Sequence, residues 1–479
     1  MSKLFKTEDW WSVWIGLFVF ALSLFTMAGA DILGWGVKTN VWMNLGKAMT
    51  AVSAAYAGLP GVVALLLTYL FMLVLMSVGA RALGFNLSKF MIGFTIIFWI
   101  AYGCWLLGSF APIAVNTPAD MKKFGINFSL RLTGESGFII ALLVGLAIGN
   151  FFKPFATYLK EATRPEWYIK TAIVMLGAVL GVKAASSTGL ATAVLFRGLC
   201  AIVEAYLIYW ALVYFVSRYF FHFSKEWSAV LASGISVCGV SAAIATGGAI
   251  RSRPVVPVMV SSLVVIFAVV ELIVLPALAT EVLTSQPMVA GAWMGLAVKT
   301  DGAAVASGAI TDALIRGRAA TLGTNWQEGW ILMAATTTKV FIDMFIGIWA
   351  FVLAIVWTTA IDRQPGETAV RGVDIWNRFP KFVIGYFLTF IIMLGIGLAA
   401  PAAMKQATLA TGELDVFRVL FFVLTFFSIG LVSDFKQLRA EGIGKLALVY
   451  LICLFGFILW IGLAISFVFF HGLTPPLAG

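Results

Sequence analysis

Apolar runs of about twenty residues recur along almost the whole chain, separated by short links that hold most of the polar side chains. Thirteen such segments can be drawn, at roughly 10–29, 61–80, 87–110, 136–152, 168–183, 193–217, 227–250, 254–279, 288–310, 329–360, 380–400, 414–433 and 443–470. A run of this length crosses the hydrocarbon layer as an α-helix, the one open structure that satisfies its own backbone where water is absent. The pattern predicts an all-α integral membrane protein. The stretch 30–60, with Trp35 and Trp42 among scattered polar residues, reads as an amphipathic interfacial segment, and 111–135 and 361–379 are the longest polar links.

Two segments depart from a plain lipid-facing helix. The seventh has the centre Gly234-Ile235-Ser236-Val237-Cys238-Gly239-Val240-Ser241, small and polar throughout. Small residues let a neighbouring helix approach closely; alternatively the helix breaks here, and freed backbone N–H groups with Ser236 and Ser241 bind a substrate, an arrangement that favours anions. The ninth segment carries Lys299, Thr300, Asp301 and Gly302 between small-residue stretches that include Gly295. Charges at mid-membrane are costly and tend to face a cavity. Lys299 and Asp301 would point apart on an intact helix, so the sequence predicts a turn there, with Lys299 facing a bound anion and Asp301 restraining it. An ordinary loop between two shorter segments is the competing reading. Other intramembrane charges are Glu204, Glu271, Lys339 and Asp343. The last two are spaced i, i+4 and can pair, and all four, together with Arg251 and Arg253, are candidates for coupling or gating.

Composition agrees with lipid as the solvent. Of 479 residues, 61% are hydrophobic and 11% charged, against about a quarter charged in soluble domains. The net charge of +10 raises the question of nucleic acid, but the cations lie in the links, where they orient a membrane protein and attract anionic lipid. With the N-terminus inside, most Lys and Arg fall on the cytoplasmic side, as expected for a bacterial inner membrane. Two pairs fall outside on a count of thirteen crossings: Arg251 with Arg253, read as gathering anions, and Arg316 with Arg318. The four cysteines all lie within apolar runs and the two histidines form no ligand spacing, so neither a disulfide framework nor a metal site is expected. No Walker-type loop or catalytic cluster is present, so neither a cofactor nor an enzyme is predicted.

Segment 5, LGAVLGVKAASSTGL, and segment 12, FFSIGLVSDFKQL, both end in a small-residue turn. Segments 4–6 and 11–13 lie seven apart and so cross in opposite senses, as an inverted repeat requires. The chain divides on this reading into N-terminal helices, 1–135, and a core, 136–479, with repeats at 136–279 and 288–470 and two discontinuous crossing helices.

Gly234, Ser236, Cys238, Gly239, Ser241 and Ala242 match a G-x-S-I-C-G-x-S-A motif, with Trp293, Gly295, Ala306 and Gly308 close to a second. Phe379, Pro380, Phe382, Val383, Gly385 and Tyr386, and then Gly430, Leu431, Ser433 and Asp434, follow two more. Over roughly 136–470 the chain resembles the YeiH-like family of bacterial membrane proteins, named for sulfate export. It departs where that family has His-Asp, here Lys299-Thr300, and where an Arg is replaced by Ile342. The resemblance implies the broader bile-acid symporter and auxin-efflux carrier fold. It points to a secondary transporter of a small anion (sulfate, sulfonate or bicarbonate), working as an exporter. The alternatives are an Na⁺- or H⁺-coupled importer and an anion channel. The lipid bilayer and a small anion are the expected partners, and a homodimer is left open.

Overall fold

The computed structural model describes residues 6–115, 118–130, 136–253, 255–357, 361, 380–433 and 444–478. Each of the thirteen apolar segments has a helical counterpart. The helices are α1 (Glu8–Leu24), α2 (Gly61–Leu83), α3 (Leu87–Gly108), α4 (Ser136–Phe151), α5 (Pro165–Ser186) and α6 (Thr188–Phe220). There follow α7a (Lys225–Ser236) and α7b (Ser241–Ala249), α8 (Val255–Leu283), then α9a (Pro287–Ala297) and α9b (Asp301–Thr321). The last four are α10 (Trp330–Val356), α11 (Lys381–Ala399), α12 (Met404–Val432) and α13 (Gly444–Phe470). Among the described residues ten helices are long and apolar enough to cross a membrane, or eleven if α4 and the helix Lys153–Leu159, which meet at a bend of 114°, are counted as one span. The protein is an all-α, multi-pass integral membrane protein.

Local chemistry sets the helix ends. Thr7 caps α1 by accepting the Trp10 N–H, and Glu8 and Asp9 complement the dipole of its first turn. Gly84 (φ +83°) ends α2 in the left-handed conformation that glycine adopts without strain, and Asn86 then caps α3. Along α2, Val62, Leu66, Leu70, Val74 and Val78 form an exposed apolar stripe, the face expected toward lipid tails. The stretch 30–60, read from sequence as an interfacial segment, holds a small antiparallel hairpin, β1 (Val37–Thr39) with β2 (Met49–Ala51), among short turns. It packs on the bundle through the Thr68 hydroxyl, which accepts the Val37 N–H at 3.0 Å.

In the core, α4 lies against α12 and α5 against both α11 and α12. Glycine permits the first contact: a Cβ on Gly145 would lie 2.2 Å from the Phe427 carbonyl oxygen, and one on Gly430 would lie 2.3 Å from that of Leu142. Backbones this close gain dispersion contacts where lipid supplies no hydrophobic drive.

Segments 7 and 9 are interrupted at the residues the sequence singles out, at 237–240 and 298–300. Neither crosses the bundle. The Thr246 hydroxyl donates to Ser233 Oγ at 2.7 Å, yet thirteen helical residues would separate them by about 20 Å. Arg253 closes on Glu226 at 3.1 Å, at the start of the same segment. Segment 7 is therefore a re-entrant hairpin, turned back at its small-residue centre. For segment 9, Gly291 and Gly295 of α9a face Ile331 and Ala335 of α10 in the same order. Gly308 and Asp312 of α9b face Ala335 and then Gly329–Leu332 in the reverse order. The two arms are antiparallel, and Arg318 closes on Glu281 at 2.5 Å beside the segment's start. Segment 9 is a second hairpin. The 29 residues of α8 connect them, a rise of about 43 Å, so the hairpins enter from opposite faces.

This corrects the placement of Arg251 and Arg253. They lie at the face that holds Lys225 and Glu226, not at the opposite one, because their segment returns to where it began. The four free cysteines are buried, so thiol labelling has a low background. Cysteines replacing Lys225 and Arg251 are expected to react with an impermeant reagent from one side of intact vesicles, and one replacing Arg318 from the other. Opposite labelling of positions 225 and 251 would restore a spanning segment.

Candidate functional site

The two hairpin tips meet. The Gly239 N–H donates to the Lys299 carbonyl at 2.7 Å, joining the turn of one hairpin to the turn of the other deep in the bundle. Each tip is also held by a charged side chain from the long helix that follows the opposite hairpin. Glu271 on α8 accepts the Lys299 N–H at 3.2 Å through one carboxylate oxygen and the Tyr450 hydroxyl at 2.6 Å through the other. Lys339 on α10 donates to the Val237 carbonyl at 2.6 Å. Turns inside a membrane leave backbone groups without helical partners, and Glu271 and Lys339 satisfy one of each kind.

Lys339 sits between two carboxylates, 3.5 Å from Asp301 and 3.6 Å from Asp343. The pairing of Lys339 with Asp343 expected from their spacing is present, and Asp301 joins it. Nothing pairs Lys299 with Asp301. The Lys299 ammonium donates to the Leu296 carbonyl and lies 4.4 Å from the centre of the Tyr209 ring, a cation–π contact. The expected role of Asp301 as a restraint on Lys299 is thus corrected, since α9b carries Asp301 away from α9a and toward α10. Thr300 caps α9b by accepting the Ala303 N–H.

Ser236 ends α7a fully buried, and its hydroxyl has no hydrogen-bond partner. Ser241 opens α7b, which has no side-chain cap. The Cys238 sulfur and the Asp301 and Asp343 oxygens lie within 4.8 Å of one another. Gly295 is at the helix contact rather than the tip: a Cβ there would lie 1.9 Å from Thr338 Oγ1. Glu204 is buried with neither oxygen bonded, at the start of a π-helical turn, Glu204–Tyr209, in α6. Such turns recur at functional sites. Arg251 and Arg253 stand away from the tips, with Arg253 65% exposed and paired to Glu226.

Sequence reasoning missed Tyr450, Tyr209 and Asp312. The two tyrosines approach from α13 and α6, and no local motif marks them. Asp312 accepts the N–H groups of Gly329, Ile331 and Leu332 and pairs with Arg316 at 2.7 Å, so it caps α10 from another helix. Its place within a run of small residues was the available signal. Taken together, the centre holds Lys299 and Lys339 against Glu204, Glu271, Asp301 and Asp343, each at most 2% exposed. Two cations face four carboxyls.

The family model described as conserved hypothetical protein 698 matches residues 128–449, which hold both hairpins and the six charged residues of this centre and stop one residue short of Tyr450. The chain belongs to that family. A UPF0324 membrane protein of Nitrosomonas europaea is 45% identical over 482 residues, covering 99% of this chain and 98% of the relative. That similarity therefore extends through the N-terminal helices, which the family model leaves out. A UPF0324 membrane protein of Nitratidesulfovibrio vulgaris is 30% identical over 416 residues, 84% of this chain and 63% of its own length. An uncharacterized protein of Archaeoglobus fulgidus is 55% identical over 164 residues, 30% of this chain. No solved structure matches. None of these names carries a substrate.

Proposed function

We propose that this protein is a secondary active transporter of a small anion, with its binding place at the junction of the two hairpin tips. One observation carries the reading: re-entrant hairpins from opposite faces touch through the Gly239 N–H and the Lys299 carbonyl. A substrate bound there contacts elements that open toward either face, the geometry alternating access needs. An anion suits the start of α7b, where an uncapped helix terminus lies beside the unpartnered Ser236 hydroxyl and Cys238, with Lys339 at the Val237 carbonyl. The resemblance to the sulfate-export family favours sulfate, a sulfonate or bicarbonate, and export as the direction.

The repeat division at 136–279 and 288–470 fits this reading with the order of elements permuted, since three helices precede the hairpin and its long helix in the first range and follow them in the second. The contact of α4 with α12 has its counterpart in α11 with α5, α7b lies on the end of α10 as α9b lies on α8, and each hairpin enters from its own face. We place the N-terminus in the cytoplasm of a bacterial inner membrane. Arg251 and Arg253 then lie inside and no longer oppose the positive-inside bias.

The surplus of buried carboxyls favours a second reading in part, that transport is coupled to H⁺ or Na⁺. Purified protein in liposomes, loaded with unlabelled sulfate and given labelled sulfate outside, is expected to show saturable counterflow. Ohmic current without saturation would make it a channel. No flux with sulfate, sulfonates or bicarbonate would reject the anion.

A further inference from the structure

We propose that Asp301 and Asp343 share one exchangeable proton beside the Lys339 ammonium, and that this proton sets how firmly the tip of hairpin 7 is held. The coupling half of this inference rests on the transporter reading; the proton site does not. Lys339 is 1% exposed and lies 3.5 and 3.6 Å from the two carboxylates, which are equally buried. With both aspartates ionised the group carries a net −1. None of the four carboxylate oxygens has a hydrogen-bond partner. Buried acceptors in such a place call for a donor, and the Cys238 thiol, 2% exposed, brings its sulfur within 4.8 Å of both carboxylates from the hairpin tip.

One proton removes both defects. It makes the group neutral, and as an O–H it supplies the donor the carboxylates lack. Two carboxylates this close do not ionise together readily, the logic of a carboxyl pair that holds one proton. A metal ion fits less well. The ammonium already stands between the carboxylates and would repel it, and three ligand atoms fall short of the four of a structural zinc site and of the six or more oxygens that hard cations take.

The groups facing the pair from the packed elements are Lys339 on α10, Cys238 on the hairpin tip, Glu166 and Lys170 on α5, and Tyr206 on α6. Lys170 is engaged with Asp9 at 3.3 Å and Glu166 at 3.7 Å, and the Tyr206 hydroxyl donates to the Ile342 carbonyl. Lys339 is the group that answers the proton directly. With the pair protonated, its ammonium is free to hold the Val237 carbonyl. When the proton leaves, the second negative charge draws the ammonium toward the carboxylates and weakens that anchor. The proton and the tip position are then linked reciprocally.

Infrared difference spectroscopy on purified protein, titrated from acid to alkaline pH, tests the site without any substrate. A carboxylic-acid carbonyl band is expected that titrates as one group, is lost in both Asp301→Asn and Asp343→Asn, and is unmoved by Na⁺, K⁺, Ca²⁺ or Zn²⁺. Asp343→Glu, which keeps the chemistry, is expected to retain the band at a shifted position, and it serves where an Asn variant fails to fold. In liposomes, sulfate accumulation driven by a pH gradient should fall about tenfold or more in Asp343→Asn. A spectrum in which no carboxylic-acid band is lost in both Asn variants overturns the site, as does a lost band that Na⁺ also displaces, which would make it a metal-cation site. A band that behaves as expected in a protein that moves no anion would leave the proton site standing and reject the anion reading instead.

Discussion

Replacing Lys339 by alanine is expected to destabilise the protein by about 3–5 kcal/mol, the usual consequence of leaving buried charge without its partner. The variant takes from the two carboxylates the cation that stands between them and strips the Val237 carbonyl of its donor. The measurement is thermal unfolding of purified protein in detergent. The double variant Lys339→Ala with Asp301→Asn removes one carboxyl together with the cation, which returns the group to the net −1 it carries with both aspartates ionised, and should recover part of the loss. About 1–3 kcal/mol should stay lost, because the Val237 carbonyl is still unsatisfied. Lys339→Met, which fills the volume, should behave like alanine if charge is the cause and like the native protein if packing is. A single Lys339→Ala variant that unfolds at the native temperature would show that the carboxylates are neutral without it.

The thirteen apolar segments were legible because a helix in lipid must be long and apolar, and that requirement is written residue by residue. The interruptions were legible too. A run such as Gly234–Ser241 fits a lipid-facing helix poorly, and Lys299-Thr300-Asp301 cannot sit on one face of an intact helix. What hydropathy does not record is direction, since a helix that turns back at mid-membrane has the same composition as one that continues. One signal did record it. Arg251 and Arg253 broke the charge bias only on the assumption that their segment crosses, and a hairpin that returns them to the side of Lys225 removes the exception. The partners of Lys299 were hidden for a related reason. Asp301 is two residues away in sequence but opens the opposite arm, whereas Tyr209 and Leu296, the groups the ammonium touches, look unremarkable in the chain. Glu271 and Lys339 were visible as buried charges, but their work of holding a tip by its backbone is a property of tertiary structure alone.

The contact between the tips should tolerate almost no added volume. A Cβ on Gly239 would lie 2.4 Å from Val264 Cγ1, 2.7 Å from Val264 Cβ and 3.2 Å from Thr300 Cγ2. Val264 belongs to α8, whose next turns carry Glu271, so the methyl group of an alanine must push the tip of hairpin 7 off α8 or off its partner hairpin. Overpacking of this kind costs about 1–3 kcal/mol, and here the strain falls on the Gly239–Lys299 hydrogen bond itself. Gly248 on the same hairpin supplies the control, because a Cβ there meets nothing within 4 Å and alanine improves helix propensity by about 1 kcal/mol. Gly239→Ala is expected to lower saturable sulfate flux on the order of tenfold, with expression near normal, and to speed amide hydrogen exchange at 237–241 and 298–302 together. Gly248→Ala should change neither. The exchange measurement needs no substrate, so it stands whatever the cargo proves to be. Faster exchange at one tip alone would mean that the hairpins move independently, and a Gly239→Ala protein indistinguishable from Gly248→Ala would mean that the tips are neighbours without being coupled.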